Sequence, residues 1–60
     1  MPVVTVEWWE GRRIEEKKQV VEGITSIFSE MGIPPQALHI IIKDNPKQNW
    51  AIGGKLASEM

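Results

Sequence analysis

The sequence predicts an α+β fold, in which one β-α-β unit is followed by a short hairpin or arm near the carboxyl end. The chain opens with a segment rich in β-branched residues, and a segment with the apolar spacing of an amphipathic helix follows it. A second apolar run, Ile40–Ile42, lies far enough along the chain to pair with the first segment as a parallel strand. At 60 residues the chain is predicted to form one domain, residues 1–60.

The first strand is predicted from Pro2 to Trp8. Alternate residues of a strand point to opposite faces, so Val4 and Val6 are expected to share one face with Trp8. A turn is expected directly after the strand, and Gly11 is free to take a positive φ there.

An amphipathic helix is predicted from about Ile14 to Met31. Its apolar residues recur at intervals of three and four, as on one face of a helix: Ile14, Val20, Val21, Ile24, Ile27, Phe28 and Met31. Arg13 is the expected N-cap, and the two glutamates of the first turn suit the positive end of the helix dipole. Gly32 is typical of the residue just beyond a helix end, and Pro34–Pro35 prevents the helix from continuing.

The second strand is predicted from Leu38 to Lys43, with Asp44–Asn49 as a polar turn after it. One helix can cover only one face of a two-stranded sheet. Other copies of the chain are therefore expected to cover the remaining face and the sheet edges. Trp50–Gly54 is too short to stand alone, and it suits a small hairpin or an arm that docks on a neighbouring copy.

The composition argues against several kinds of site and partner. The chain has no cysteine and one histidine, so a protein-bound metal is not expected. Its net charge is −1 with both signs interspersed, which argues against a nucleic-acid partner. No apolar run approaches the roughly 20 residues that span a bilayer, and the start of the chain lacks the pattern of a signal peptide. We therefore expect a cytoplasmic protein with no membrane partner.

Pro2 is the first candidate functional residue. Aminopeptidases that remove an initiator methionine accept a small second residue, and removal of Met1 would leave a secondary amine at the start of the strand. The proline ring fixes φ, so the backbone would aim the lone pair of this amine, which could then act as a general base. The alternative is that Pro2 simply begins a strand at a position where no ladder hydrogen bond is needed.

Four features occur together in this chain: the amino-terminal Pro2, the segment Glu10–Arg12, the pair Glu16–Lys17, and the ending Trp50–Ser58 with its Gly-Gly-x-Leu-Ala-Ser motif. Together they resemble the 4-oxalocrotonate tautomerase (2-hydroxymuconate tautomerase) family over essentially the whole chain. The resemblance implies a β-α-β subunit that dimerises through a four-stranded sheet, with three dimers forming a homohexamer. It also implies a keto–enol tautomerase that needs no cofactor and acts on a small enol or keto acid.

The resemblance further implies roles for individual residues. Pro2 matches the catalytic base, which moves a proton between carbon atoms of a 2-hydroxydienoate such as 2-hydroxymuconate to give the conjugated ketone. Arg12 matches the arginine that binds the distal carboxylate, and its charge would also stabilise the dienolate. Trp50 matches the apolar wall of the site, which helps to lower the pKa of the proline amine.

His39 departs from the family pattern. The best-known members carry a second arginine in the middle of the second strand, which grips the 2-keto acid end of the substrate. A histidine cannot make the bidentate fork that matches a carboxylate. His39 would either donate to the substrate carbonyl or fill an interface. Trp8 and Trp9 are expected to be core and interface residues, and Arg13 a solvated residue at the helix start.

Two alternatives to a tautomerase stay open. A proline-dependent hydratase or dehalogenase of a haloacrylate-like acid would use Pro2 as a cation and would need a carboxylate to activate water. Glu7 and Glu10 are the candidates for that carboxylate. The other alternative is a hexameric binding protein without catalytic activity, in which the fold is kept but His39 has removed the activity.

Overall fold

The computed structural model of the chain describes residues 1–60. Its strands and helix, in chain order, are β1 (Val3–Trp9), α1 (Ile14–Glu30), β2 (His39–Asn45), β3 (Ala51–Ile52) and β4 (Lys55–Leu56). Short 3₁₀ helices occupy Pro35–Ala37, Lys47–Asn49 and Ala57–Glu59. The predicted β-α-β unit is confirmed, and the predicted carboxy-terminal hairpin is the antiparallel pair of β3 and β4.

The strands β1 and β2 form a parallel sheet, whose register ends with Trp9 opposite Asn45. The pairing continues past both ends of the strands. The His39 N–H donates to the Pro2 carbonyl at 3.1 Å, and the Glu10 N–H donates to the Asn45 carbonyl at 3.0 Å. Because both strands run in the same direction, Pro2 and His39 lie together at the amino ends of the strands. The turn after Trp9 lies at the carboxyl ends.

The end of β2 corrects the sequence prediction, which stopped the strand at Lys43 and assigned the next residues to a turn. In the structure, Asp44 and Asn45 continue the ladder opposite Trp8 and Trp9. Side-chain hydrogen bonds override their turn propensity. The Asn45 amide donates to the Trp8 carbonyl at 3.4 Å, and Asp44 accepts a hydrogen bond from the Trp8 indole. These polar residues are therefore part of the sheet.

The two ends of α1 are as the sequence predicts. Arg13 is the N-cap, and its backbone N–H donates to Glu16 Oε1 at 2.9 Å. At the other end, the N–H groups of Gly32 and Ile33 donate to carbonyls of the last helical turn at 3.0 and 3.1 Å. This pair of bonds is a Schellman motif, and Gly32 has the positive φ that the motif requires, 87°.

The helix covers one face of the β1–β2 sheet and leaves the other open. Burial alternates along β1, with Val4, Val6 and Trp8 half-buried on the covered face and the residues between them exposed. On the open face, Val3 is 56% and Ile41 is 46% exposed. The open face is thus apolar, which is the arrangement expected from a single helix on a two-stranded sheet.

A single copy of the chain has almost no core. Ala57 is the one buried residue, and ten large apolar side chains are exposed. The radius of gyration is 14.5 Å, whereas a compact domain of this length would have about 10 Å. None of the helices combines the length and the apolar character that crossing a membrane requires.

Candidate functional site

An open cavity of about 510 Å³ lies at the carboxyl end of β1, where the chain turns towards α1. Eight residues line it: Glu7, Trp8, Trp9, Glu10, Gly11, Arg12, Lys47 and Trp50. Two of the candidate site residues, Arg12 and Trp50, therefore share this cavity. Its volume is within the range of small-molecule sites in proteins, about 300 to 1,000 Å³.

Trp8 and Trp9 also line the cavity, although their size alone suggested core and interface positions. Neighbouring residues of a strand point to opposite faces, so the sequence gives no reason to bring both rings to one site. The cavity lies at the strand end, where it reaches both faces of β1. Sequence reasoning missed these two residues because it placed the site by family motifs alone.

The aromatic wall of the cavity is built from the end of β1 and from the residue that precedes β3. The rings of Trp9 on β1 and Trp50 meet edge to face, with centroids 5.9 Å apart and an angle of 75° between their planes. Backbone hydrogen bonds hold Trp50 on both sides. Its N–H donates to the Lys47 carbonyl at 3.2 Å, and its carbonyl accepts from the buried Ala57 at 2.7 Å.

Two cations lie on the indole rings. The Arg12 guanidinium carbon is 5.6 Å from the centroid of Trp8, and Lys47 Nζ is 4.9 Å from the centroid of Trp9. Both distances are within the range of cation–π attraction. Arg12 also forms an ion pair of 3.4 Å with Glu16, and its side chain stays 55% exposed. The guanidinium is therefore held at the cavity and still open to an anionic ligand.

Gly11 determines how Arg12 enters the cavity. It connects the end of β1 to the N-cap of α1 with a φ of 116°, a conformation that residues with a Cβ rarely adopt. This confirms the positive φ predicted for the turn. Arg12 thus follows directly from a sharp change of direction at the end of the sheet.

Pro2 and His39 lie far from the cavity in the same copy. They lie next to each other at the amino ends of the two strands, where the His39 N–H donates to the Pro2 carbonyl. A strand of seven residues separates them from Arg12 and Trp50, which corresponds to about 20 Å. Within one copy, the four candidate residues therefore form two separate pairs: Pro2 with His39, and Arg12 with Trp50.

Asp44 connects three elements beside the cavity. Its Oδ1 accepts from Trp8 Nε1 on β1, and its Oδ2 accepts from Lys17 Nζ on α1, both at 2.6 Å. The hydrogen bonds from Lys17 and then from Trp8 lower the pKa of the Asp44 carboxyl. The pKa of Glu16 is also lowered, first by the Arg13 backbone N–H. Sequence reasoning missed Asp44, since no motif marks a residue that was assigned to a turn.

The β-α-β fold and the cavity beside Arg12 describe a small domain with room for a small ligand, and comparison with known proteins identifies its class. A family described as "Tautomerase enzyme" matches residues 2–60. The chain therefore belongs to the tautomerase family, as the resemblance in its motifs predicts.

Two curated relatives and one solved structure cover nearly the whole chain. A probable tautomerase of Bacillus cereus is 40% identical over 60 residues, which are 98% of each chain. The 2-hydroxymuconate tautomerase of Comamonas testosteroni is 39% identical over 61 residues, covering 100% of this chain and 97% of the relative. A solved 4-oxalocrotonate tautomerase isozyme from Methylibium petroleiphilum has a TM-score of 0.86 at 38% identity, covering 95% of this chain and 94% of that one. These relatives confirm the predicted class of enzyme, an isomerase.

Proposed function

We propose that this chain is a cofactor-free keto–enol tautomerase that ketonises 2-hydroxymuconate or a related 2-hydroxydienoate. The observation that carries the proposal is the cavity in which Arg12 lies among three indole rings. A planar conjugated acid matches it, because its π system can pack on indoles while its carboxylate pairs with the guanidinium. The similarity to 2-hydroxymuconate tautomerase supports the same class of substrate.

Lys47 adds a second positive charge to the proposed substrate site. It lines the same cavity as Arg12 and lies over a neighbouring indole. Glu7 and Glu10 line the same cavity and balance these charges, so Lys47 adds a second local pairing point and no net positive charge. A ligand with two carboxylates would use both pairing points, although His39 lacks the carboxylate grip of an arginine.

We further propose that the complete site forms between copies of the chain. The two pairs lie towards opposite ends of the parallel strands. Pro2 and His39 of one copy would therefore meet Arg12 and Trp50 of another. The open apolar face and the ten exposed large apolar side chains support association. The homohexamer implied by the family resemblance is the assembly that we propose.

In this site the Pro2 amine, freed by removal of Met1, would take a proton from the substrate and return it to another carbon. No atom is gained or lost, so no cofactor or co-reactant is needed. An α-amino group has a pKa of about 7.7 to 8.0, and a secondary amine is more basic. Contact with indoles and a guanidinium would disfavour the ammonium form, so that the amine can act as a base near neutral pH.

The test is the rate of ketonisation of 2-hydroxymuconate by the chain without Met1 and by its Pro2→Ala variant. Mass spectrometry of the intact chains verifies that Met1 is absent from both. We expect the variant to lose about 10² to 10⁴-fold in kcat/KM, the usual contribution of a general base. Equal rates in the two chains would refute the role of Pro2.

A hydratase is the second candidate, because Glu7 and Glu10 line the cavity and either could activate water. The pH profile separates the two reactions. A tautomerase needs neutral Pro2, so kcat/KM should rise with pH through the pKa of the amine. A hydratase needs the cation, so its kcat/KM with a haloacrylate should fall over the same range.

A further inference from the structure

The side chain of Asp44 has both of its oxygens engaged by other elements. Trp8 Nε1 and Lys17 Nζ each donate to it at 2.6 Å, slightly shorter than charge-assisted N–H···O bonds usually are, about 2.7 to 2.9 Å. The three side chains are partly covered rather than buried: Lys17 is 26% and Asp44 is 33% exposed. The hydrogen bond from the indole N–H to Asp44 therefore restrains the orientation of the Trp8 ring.

The face of the same ring carries the Arg12 guanidinium at 5.6 Å. The charged partner of Arg12 is Glu16, which pairs with a single guanidinium nitrogen at 3.4 Å, a longer contact than the 2.6 Å bonds to Asp44. An exposed pair of this kind restrains a side chain weakly. The orientation of Arg12 therefore depends mainly on where the Trp8 ring lies, and the ring in turn depends on Asp44.

We infer that Trp8 and Asp44 are positioning residues, which hold Arg12 ready for the distal carboxylate of the substrate. This inference rests on the proposed function, in which Arg12 binds that carboxylate. Asp44 acts as the acceptor that fixes the indole, and Trp8 acts as the platform for the guanidinium. Lys17 anchors Asp44 to α1 through the other carboxylate oxygen, so its effect on Trp8 is indirect.

The experiment compares three variants: Asp44→Leu, which removes the acceptor, Asp44→Asn, which keeps an acceptor oxygen for Trp8, and Trp8→Phe, which keeps a ring but removes the N–H donor. Each is assayed with 2-hydroxymuconate and with 2-hydroxypenta-2,4-dienoate, which lacks the distal carboxylate. We expect Asp44→Leu to raise KM about tenfold for the dicarboxylate only, which is the loss of roughly one good hydrogen bond. Trp8 itself lines the cavity, so Trp8→Phe should raise both KM values, and about tenfold more for the dicarboxylate than for the monocarboxylate. Asp44→Asn should stay close to the unaltered chain.

The comparison of substrates separates positioning from general damage. A variant that is merely misfolded or poorly assembled loses activity on both substrates. Glu30→Gln, which alters a carboxylate with no ion pair at the far end of α1, is the matched control and should change neither KM. Equal changes in KM for the two substrates in Trp8→Phe would overturn the inference, as would an unchanged KM in both Asp44→Leu and Trp8→Phe.

A binding measurement keeps this test independent of catalysis. The dicarboxylate cis,cis-muconate has no enol, and calorimetry gives its affinity for each variant. We expect about tenfold weaker binding in Asp44→Leu and Trp8→Phe, and weaker binding still in Arg12→Ala. If the unaltered chain binds muconate more tightly than Asp44→Leu and Trp8→Phe do but catalyses no ketonisation, the proposed function fails while the positioning role of Trp8 and Asp44 stands. The inference fails if Trp8→Phe and Asp44→Leu bind muconate with the same affinity as the unaltered chain. It also fails if none of the chains binds muconate.

Discussion

At the scale of single residues, indole rings and carboxylates together place the cations of the cavity. Arg12 lies on Trp8 and Lys47 on Trp9, at a strand end where solvent would otherwise leave both side chains mobile. The sequence could indicate Arg12 and Trp50, because short motifs mark them. It could not indicate Asp44, whose contact with Trp8 joins residues 36 positions apart and depends on the register of two strands.

The lowered pKa of Asp44 predicts how stability responds to acid. Its hydrogen bonds in the folded chain favour the carboxylate, so the unfolded chain takes up the proton at a higher pH than the folded chain. The stabilisation is therefore present above the ordinary pKa of 3.8 and is lost as the pH falls below it. We expect the urea midpoint of the unaltered chain to drop more between pH 6 and about pH 3 than that of Asp44→Asn, at equal protein concentration.

Glu16 contributes to the same acid response, because its pKa is also lowered, mainly by the Arg13 backbone N–H. Glu16→Gln is therefore the companion variant, and the combined variant should have the weakest dependence on pH. An acid response that is the same in all four chains would show that neither carboxylate is coupled to folding.

At the scale of elements, the sequence predicts the boundaries best where they depend on residues that are close together in the chain. The start and end of α1 followed from Arg13, Gly32 and the two prolines, because capping and backbone conformation involve residues within one turn. The end of β2 was wrong in the prediction, because Asp44 and Asn45 favour turns locally and are held in the strand by β1. Partners distant in sequence thus decided the less predictable boundary.

Two glycines of the helical region test this local control. Gly32 has a φ of 87° beyond the end of α1, whereas Gly23 lies within the helix, and an added Cβ would meet no atom within 4 Å at either position. We expect Gly32→Ala to lower the free energy of unfolding by about 1 to 2 kcal/mol through the left-handed backbone. Gly23→Ala should raise it by up to about 1 kcal/mol through helix propensity.

Urea unfolding at fixed protein concentration measures both glycine effects. The pair is a matched control, since the same methyl group is added in each case and only the backbone conformation differs. Destabilisation of the same size at both positions would indicate that crowding, rather than backbone conformation, determines the result.

At the scale of the whole molecule, the single copy is a thin layer with one apolar face open. Its dimensions are 43 × 23 × 14 Å, and the shortest of them is little more than one helix packed on one sheet. The sequence predicted this arrangement from the count of elements, because one helix cannot cover both faces. It could not predict which residues would meet at the cavity, since that depends on how the strand end, the turn and the segment around Trp50 fold back on one another.

The length of β1 has a genetic consequence, because Pro2 and Arg12 lie before and after the strand, at its opposite ends. Pro2→Ala and Arg12→Ala subunits should each be inactive alone, yet unfolding them together and refolding the mixture should restore activity. In an equal mixture, about one quarter of the sites would draw both intact residues from different subunits, so recovery should approach that fraction of normal activity. Recovery would be absent if each copy supplied both residues to its own site, and two individually dead alleles would then fail to complement each other in one cell.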